Sequence, residues 1–226
     1  MLRFPVLLAG ALLSVNAFAL SLSDLSQSDA TGGLKDALTQ GAQVAVKQLS
    51  QPGGFSNDPA VRIELPGKLG KAAKTMKQFG MGAQVDQLEA SMNKAAEAAM
   101  PQAQALLVDA VKKMSVTDAK GILQGGGDHS ATDYLNRSSR DQLRAKFLPI
   151  IKQATDQVGV AKQYNAFASQ AAAFGVVDAK NANIENYVTE EALDGLFKLI
   201  AEQEKTIRQN PTAAATGLAK KVFGVL

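Results

Sequence analysis

Apolar residues recur at helical spacing along most of this 226-residue chain, and that repeat is the strongest constraint on its fold. Leu34, Leu38, Ala42, Ala45 and Leu49 mark one stripe. Leu88, Met92, Ala95, Ala99, Leu106 and Ala110 mark a second. Leu193, Leu196, Phe197, Ile200 and Ile207 mark a third. Spacings of three and four put each set on one face of a helix. The alternation that a half-buried strand needs is nearly absent. Only "AVRIELP", residues 60–66, has an extended character. Aromatic residues are 5% of the chain and Trp is missing, so the core is built from Ala, Leu, Val and Met. Ala is the best helix former and lets helices approach closely. The expectation is an all-α protein, an irregular bundle of about seven or eight helices.

Breakers and caps divide the chain. A helix over 34–49 ends at "SQPGGFSNDP", which carries two prolines and two glycines. A lysine-bearing helix over 67–79 follows, with Gly80 as its left-handed stop. The next helix spans 83–114, with a kink or break near residue 100 because Pro101 has no N–H to donate. Thr117 is expected to cap a short helix over 118–123. Ser130 starts a further segment, and "SSRDQL" starts another helix at Ser139 with Gln142 at capping-box spacing. It runs to residue 158 with a kink at Pro149, and a helix over 159–175 follows. After the polar loop 176–187, Thr189 is expected to cap a helix that Asn210-Pro211 ends. A short helix near the C terminus supplies Leu218, Val222 and Phe223 for docking.

The first residues read differently. Arg3, the apolar run 6–13 and Ala17-Phe18-Ala19 form the pattern of a secretory leader, with cleavage after Ala19. The run is too short to span a bilayer, which takes about 20 apolar residues. Polar, small residues over 20–33 predict a flexible leader before a single helical domain over 34–226. The expected location is periplasmic. The chain has no Cys, so an exported form has no disulfide and rests on its core alone. Formal charge is +3, and loss of Arg3 with the leader makes it +2, too little to argue for a nucleic-acid partner.

Several collinear stretches resemble a known family. They are "GGFSNDPAVRIELPGKL", "MNKAAEAA", "DAKGILQGG" with "ATDYL", "YVTEEALDGLF", and "IRQNP" followed by "KKVFG". In this order they resemble the exported bacterial domain-of-unknown-function family 4197, over about residues 32–224. The resemblance implies an all-helical, leader-bearing protein and supplies no catalytic residue.

The most site-like stretch is "LQGGGDHSATDYL", residues 123–135. Asp128, the sole histidine His129, and Ser130 are the residue types of a hydrolase triad. Neighbours in sequence cannot form one, because consecutive side chains diverge and a triad is a chain of hydrogen bonds. There is no G-x-S-x-G elbow and no Gly-Lys-Ser/Thr after the glycines. The simpler expectation is a helix stop and a restart capped by Ser130 or Thr132. A ligand pocket near Asp128, His129, Tyr134 and Arg137 is the alternative. Asn93 and Glu97, four apart on one helix face, are a second candidate polar site, beside the Glu97 carbonyl freed by Pro101. Tyr164 with Asn165 is a third.

One His and no Cys exclude the usual zinc sets, and "DAKNANIEN" with Asp178, Asn181, Asn183 and Glu185 lacks EF-hand spacing. No metal or cofactor is expected. Lys68, Lys71, Lys74 and Lys77 step round half of one helix, which suits either a solvated face or an anionic membrane surface. The leading expectation is a non-catalytic binding or interaction module of the cell envelope, with an unidentified protein or small ligand as partner. The alternatives are an enzyme with a pocket at the 125–137 junction and a peripheral membrane-surface protein.

Overall fold

The computed structural model describes residues 25–80, 82–125, 127–156, 164–165 and 183–226. Among them there are eight α-helices and no strand. The leader over 1–19 and almost all of the helix expected over 159–175 lie outside these residues. None of the described helices is long and apolar enough to cross a membrane.

Helix α1, Gln27–Leu49, begins well before the expected Leu34. The Ser26 hydroxyl accepts from the Asp29 N–H at 3.0 Å and fixes the first turn. Residues 27–33 are therefore helical rather than a flexible leader. Their glycines belong there for a packing reason. A Cβ on Gly33 would lie 2.5 Å from Val222 and 2.8 Å from the Leu218 carbonyl oxygen. The small residues let the C-terminal helix α8, Gly217–Phe223, lie directly on α1.

Helix α2, Gly67–Gln78, ends at Gly80 with φ +75°, the expected left-handed stop. The long helix expected over 83–114 is two helices, α3, Ala83–Ala99, and α4, Pro101–Lys113. Pro101 occupies the first position of α4, where a missing N–H costs nothing. Helix α5, Val116–Gln124, is capped by Ser115 and not Thr117. Ser115 and Asp118 each accept from the other's backbone N–H, a full capping box.

Helix α6, Ser130–Asp156, runs unbroken through Ser139, where a new helix was expected. Buried Ser139 donates instead to the Leu135 carbonyl at 2.6 Å, four residues back. Helix α7, Ile184–Gln209, starts at the Asn183 cap rather than at Thr189. Thr189 is buried inside it and donates to the Glu185 carbonyl at 2.7 Å. A 3-10 turn, Pro211–Ala213, leads to the Thr216 cap of α8.

Helix α1 lies against α4, α5, α7 and α8, and α6 lies against α3, α4 and α7. Between them is one contiguous apolar core that includes Leu34, Met92, Leu107, Leu135, Phe147 and Ile200. Residues 60–66 are irregular and cross the surface of α3. Replacement of Gly33 by Ala drives a methyl into α8 and is expected to lower stability by about 1–3 kcal/mol. Gly32→Ala meets only the flexible end of Leu218, at 2.8 Å, and is expected to be neutral or stabilising. Urea unfolding of the two variants checks the contrast.

Candidate functional site

The glycine-rich junction is the turn between α5 and α6. The Gly125 N–H donates to the Gly121 carbonyl at 2.9 Å and closes α5. Gly127, Asp128 and His129 are exposed. His129 contributes its backbone carbonyl, which accepts from the Asp133 N–H at 2.9 Å in the first turn of α6. The Ser130 hydroxyl faces the Ile122 and Gly127 carbonyls at 3.1 and 3.2 Å.

A side chain from α7 completes this turn. Glu204 is buried, at 6% exposure, and its carboxylate lies over the N terminus of α6. It accepts from the Ala131 N–H at 3.1 Å, the Thr132 N–H at 2.8 Å and the Thr132 hydroxyl at 2.7 Å. These are helix-start donors that lack a partner within the helix. The carboxylate also complements the positive end of the helix dipole. Arg208, one turn further along α7, donates to Glu204 through Nε at 2.9 Å and Nη2 at 2.8 Å. Its Nη2 reaches the Ser130 hydroxyl at 3.0 Å, and its guanidinium sits 5.5 Å above the Phe223 ring. Ser130, Thr132 and the first N–H groups of α6 are thereby engaged in tying α6, α7 and α8 together.

Tyr134 and Arg137 border an open groove of about 360 Å³ with Thr117, Asp118 and Gly121. Asp128 and His129 do not line it. The Ser115 hydroxyl and N–H, then Tyr134, hold the Asp118 carboxyl below its ordinary range. Burial and then Asp118 push the Tyr134 phenol up. Both effects favour an Asp118 carboxylate beside a protonated Tyr134.

A family model described as "Protein of unknown function (DUF4197)" matches residues 24–224. The chain belongs to this family. No curated protein and no solved structure matches. Family membership leaves the chemistry to be read from the residues.

Asn93 and Glu97 form a polar row with Glu89 on α3, and all three grip the irregular segment before α2. Asn93 accepts from the Ile63 N–H and donates to the Ile63 carbonyl, both at 2.9 Å. It pairs with that backbone as a neighbouring strand would. Glu97 accepts from the N–H groups of Gly53 at 3.1 Å and Phe55 at 3.3 Å, and Glu89 from that of Leu65 at 3.3 Å. Asn165 donates to both oxygens of buried Glu185, at 3.2 and 3.1 Å, and accepts from the Ile184 N–H. Burial pushes the Tyr164 phenol up to about 12. Of the aspartate and asparagines weighed as oxygen ligands, Asn183 caps α7, while Asp178 and Asn181 lie outside the described residues. No cluster of three or more His, Asp or Glu among the described residues is placed to hold a metal ion.

The four lysines of α2 do not act alike. Lys77 reaches across to α3, to Asp86 at 2.8 Å and Glu89 at 2.6 Å. Lys74 shares Glu64 with Arg62, at 3.1 and 2.7 Å. Lys68 and Lys71 are exposed.

A second charged cluster joins α6 to α7 and was not singled out in the sequence. Arg140 bonds Glu190 and Asp194 at 2.7 and 2.6 Å, and Arg144 also reaches Glu190. Burial would raise the Glu190 pKa, but Arg144 and Arg140 outweigh it and the net shift is down. Its neighbour Glu191 is shifted up, by burial and then by Asp194 and Glu190. Of the residues missed, Glu204 left a readable signal. It falls in phase with Leu196, Ile200 and Ile207, where a solvated face has no place.

Truncation of Glu204 to Ala leaves Arg208 and the α6 start without their partner, and is expected to cost about 3 kcal/mol. His129→Ala is expected to stay within about 0.5 kcal/mol of the parent, as surface changes do. Chemical denaturation measures both. Glu191 gives a signed pH test. Its raised folded pKa means the protonated form is favoured, so its contribution is lost as pH rises through that value. Glu191→Gln is therefore expected to raise Tm at pH 7, with the gain vanishing as pH falls below 4.5, the ordinary value.

Proposed function

We propose that this chain is an exported, non-catalytic interaction module of the bacterial cell envelope. The observation that carries this reading is the fate of the junction 125–137. The residues there that resemble a reactive site are either exposed or engaged in holding helices together. Asp128 and His129 face solvent and lie outside the groove beside them. Ser130 and Thr132 are bonded to Arg208 and Glu204. An enzyme needs a base held within reach of the proton it takes, and a third group to orient it. The junction offers neither to His129. Elsewhere among the described residues, no buried side-chain nitrogen or oxygen lacks a partner. Such a scaffold presents a fixed surface, which suits recognition.

The leader pattern over residues 1–19 supports export, and the lack of Cys is compatible with an oxidising compartment. Mass spectrometry of the chain recovered from its native envelope is expected to find Leu20 as the first residue. In-cell cross-linking is expected to join the chain to one envelope component, with His129→Ala leaving that product unchanged. An intact Met1 terminus on a cytoplasmic chain would sink the proposal.

A further inference from the structure

Helix α2 presents a basic face with an exposed phenyl ring just beyond its end. At 100° per residue, Lys68, Lys71 and Lys74 lie within about 120° of one another, and Leu69 and Ala73 lie on the opposite side. Ala73 is buried and Leu69 packs against the core, so the lysine side is the outward one. The ion pairs of Glu64 extend that side to exposed Arg62. Glu64 is the acidic group tied into the strip, and its carboxyl is held below its ordinary range by Arg62 and then Lys74. Lys77 pairs with both Asp86 and Glu89, which leaves one net negative charge at the α3 side of the helix, away from the strip.

Phe79 stands immediately after the last helical residue. It is 74% exposed, the most exposed large hydrophobic side chain among the described residues. The strip's excess positive charge is complementary to an anionic surface. A free phenyl ring beside it separates the two kinds of surface that could meet that charge. A hydrated polyanion leaves the ring in water, whereas a lipid headgroup region buries it at a gain.

We propose that α2 is the element by which the chain docks on an anionic lipid surface, with Phe79 entering the headgroup boundary and Arg62, Lys68, Lys71 and Lys74 facing the phosphates. The proposal rests on the reading of the chain as an exported interaction module, and names one surface that module meets.

The test is co-sedimentation of the exported chain with vesicles of phosphatidylglycerol and phosphatidylethanolamine, against vesicles of phosphatidylcholine alone. Partition onto the anionic vesicles is expected to be at least about tenfold higher, and to fall as ionic strength rises. Lys68→Glu combined with Lys71→Glu is expected to weaken it by about tenfold or more, since each basic residue near such a surface counts for about fivefold. Phe79→Ser keeps every charge and is expected to weaken binding as well. All three positions are exposed, so unchanged thermal unfolding of the variants shows that the fold is intact. Equal partition onto both vesicle types overturns the proposal. So does a Phe79→Ser chain that binds as the parent does, which would make the partner a hydrated polyanion met by charge alone. Either failure leaves the export reading standing if the terminus is Leu20 and the envelope cross-link persists. A cytoplasmic, unprocessed chain overturns that reading instead.

Discussion

One buried carboxylate sets the arrangement of this bundle. Glu204 lies where α6, α7 and α8 meet against α1, beside Leu34, Ala37, Ala131, Ile200 and Phe223. A charge placed there in an apolar core is costly unless it is fully bonded. Here it is bonded on every side, by two N–H groups, one hydroxyl and one guanidinium. The same bonds decide where α6 begins. The first turn of α6 is held at Ala131 and Thr132, and Arg208 carries the constraint on to Ser130 and Phe223. The junction is therefore fixed at the end that matters for packing.

The polar row on α3 applies the same principle at the other edge. Glu89, Asn93 and Glu97 are four apart and stand on one face. The segment they hold has no helix or sheet of its own to satisfy its backbone. Each side chain supplies a partner for N–H groups that would otherwise be unbonded. Glu89 also bonds Lys77, so one carboxylate fixes both the approach to α2 and its last turn. Helix α2 reaches the surface with its basic side outward because Lys77, the lysine facing α3, and its preceding backbone are both bound to α3.

The helical class, the break at Pro101, the stop at Gly80 and the end at Asn210-Pro211 were legible in the sequence. Each depends on a local property, a backbone conformation or a missing donor, that travels with the residue. Helix starts were less legible, and for one reason. A Ser or Thr hydroxyl can accept from an N–H three residues ahead and cap a helix. It can equally donate to a carbonyl four residues behind and sit inside one. Ser115 and Thr216 do the first, while Ser139 and Thr189 do the second. The letters are the same, and burial against neighbouring helices makes the choice. The early start of α1 was hidden likewise, because Gly32 and Gly33 signal a loop until α8 is placed on them.

The site was legible in outline and not in mechanism. The junction 123–135 does hold a concentration of functional groups, as its composition suggests. Their partners lie 72 and 73 residues away, on a face of α7 that no local pattern around residue 130 can indicate. The informative signal was at the other end, in a glutamate that falls within an apolar stripe. Such a residue demands a buried partner, and the cheapest source of several N–H donors is the start of another helix. A chain with a breaker-rich junction and an in-phase carboxylate far downstream is thus better read as a pair than as two separate oddities. Read as a pair, Glu204 and the Ser130–Thr132 turn account for the bonded groups of the junction, while His129 contributes its backbone carbonyl to the first turn of α6. Ser130 and Thr132, which the composition sets beside His129, are bonded to Arg208 and Glu204 and hold the helices together.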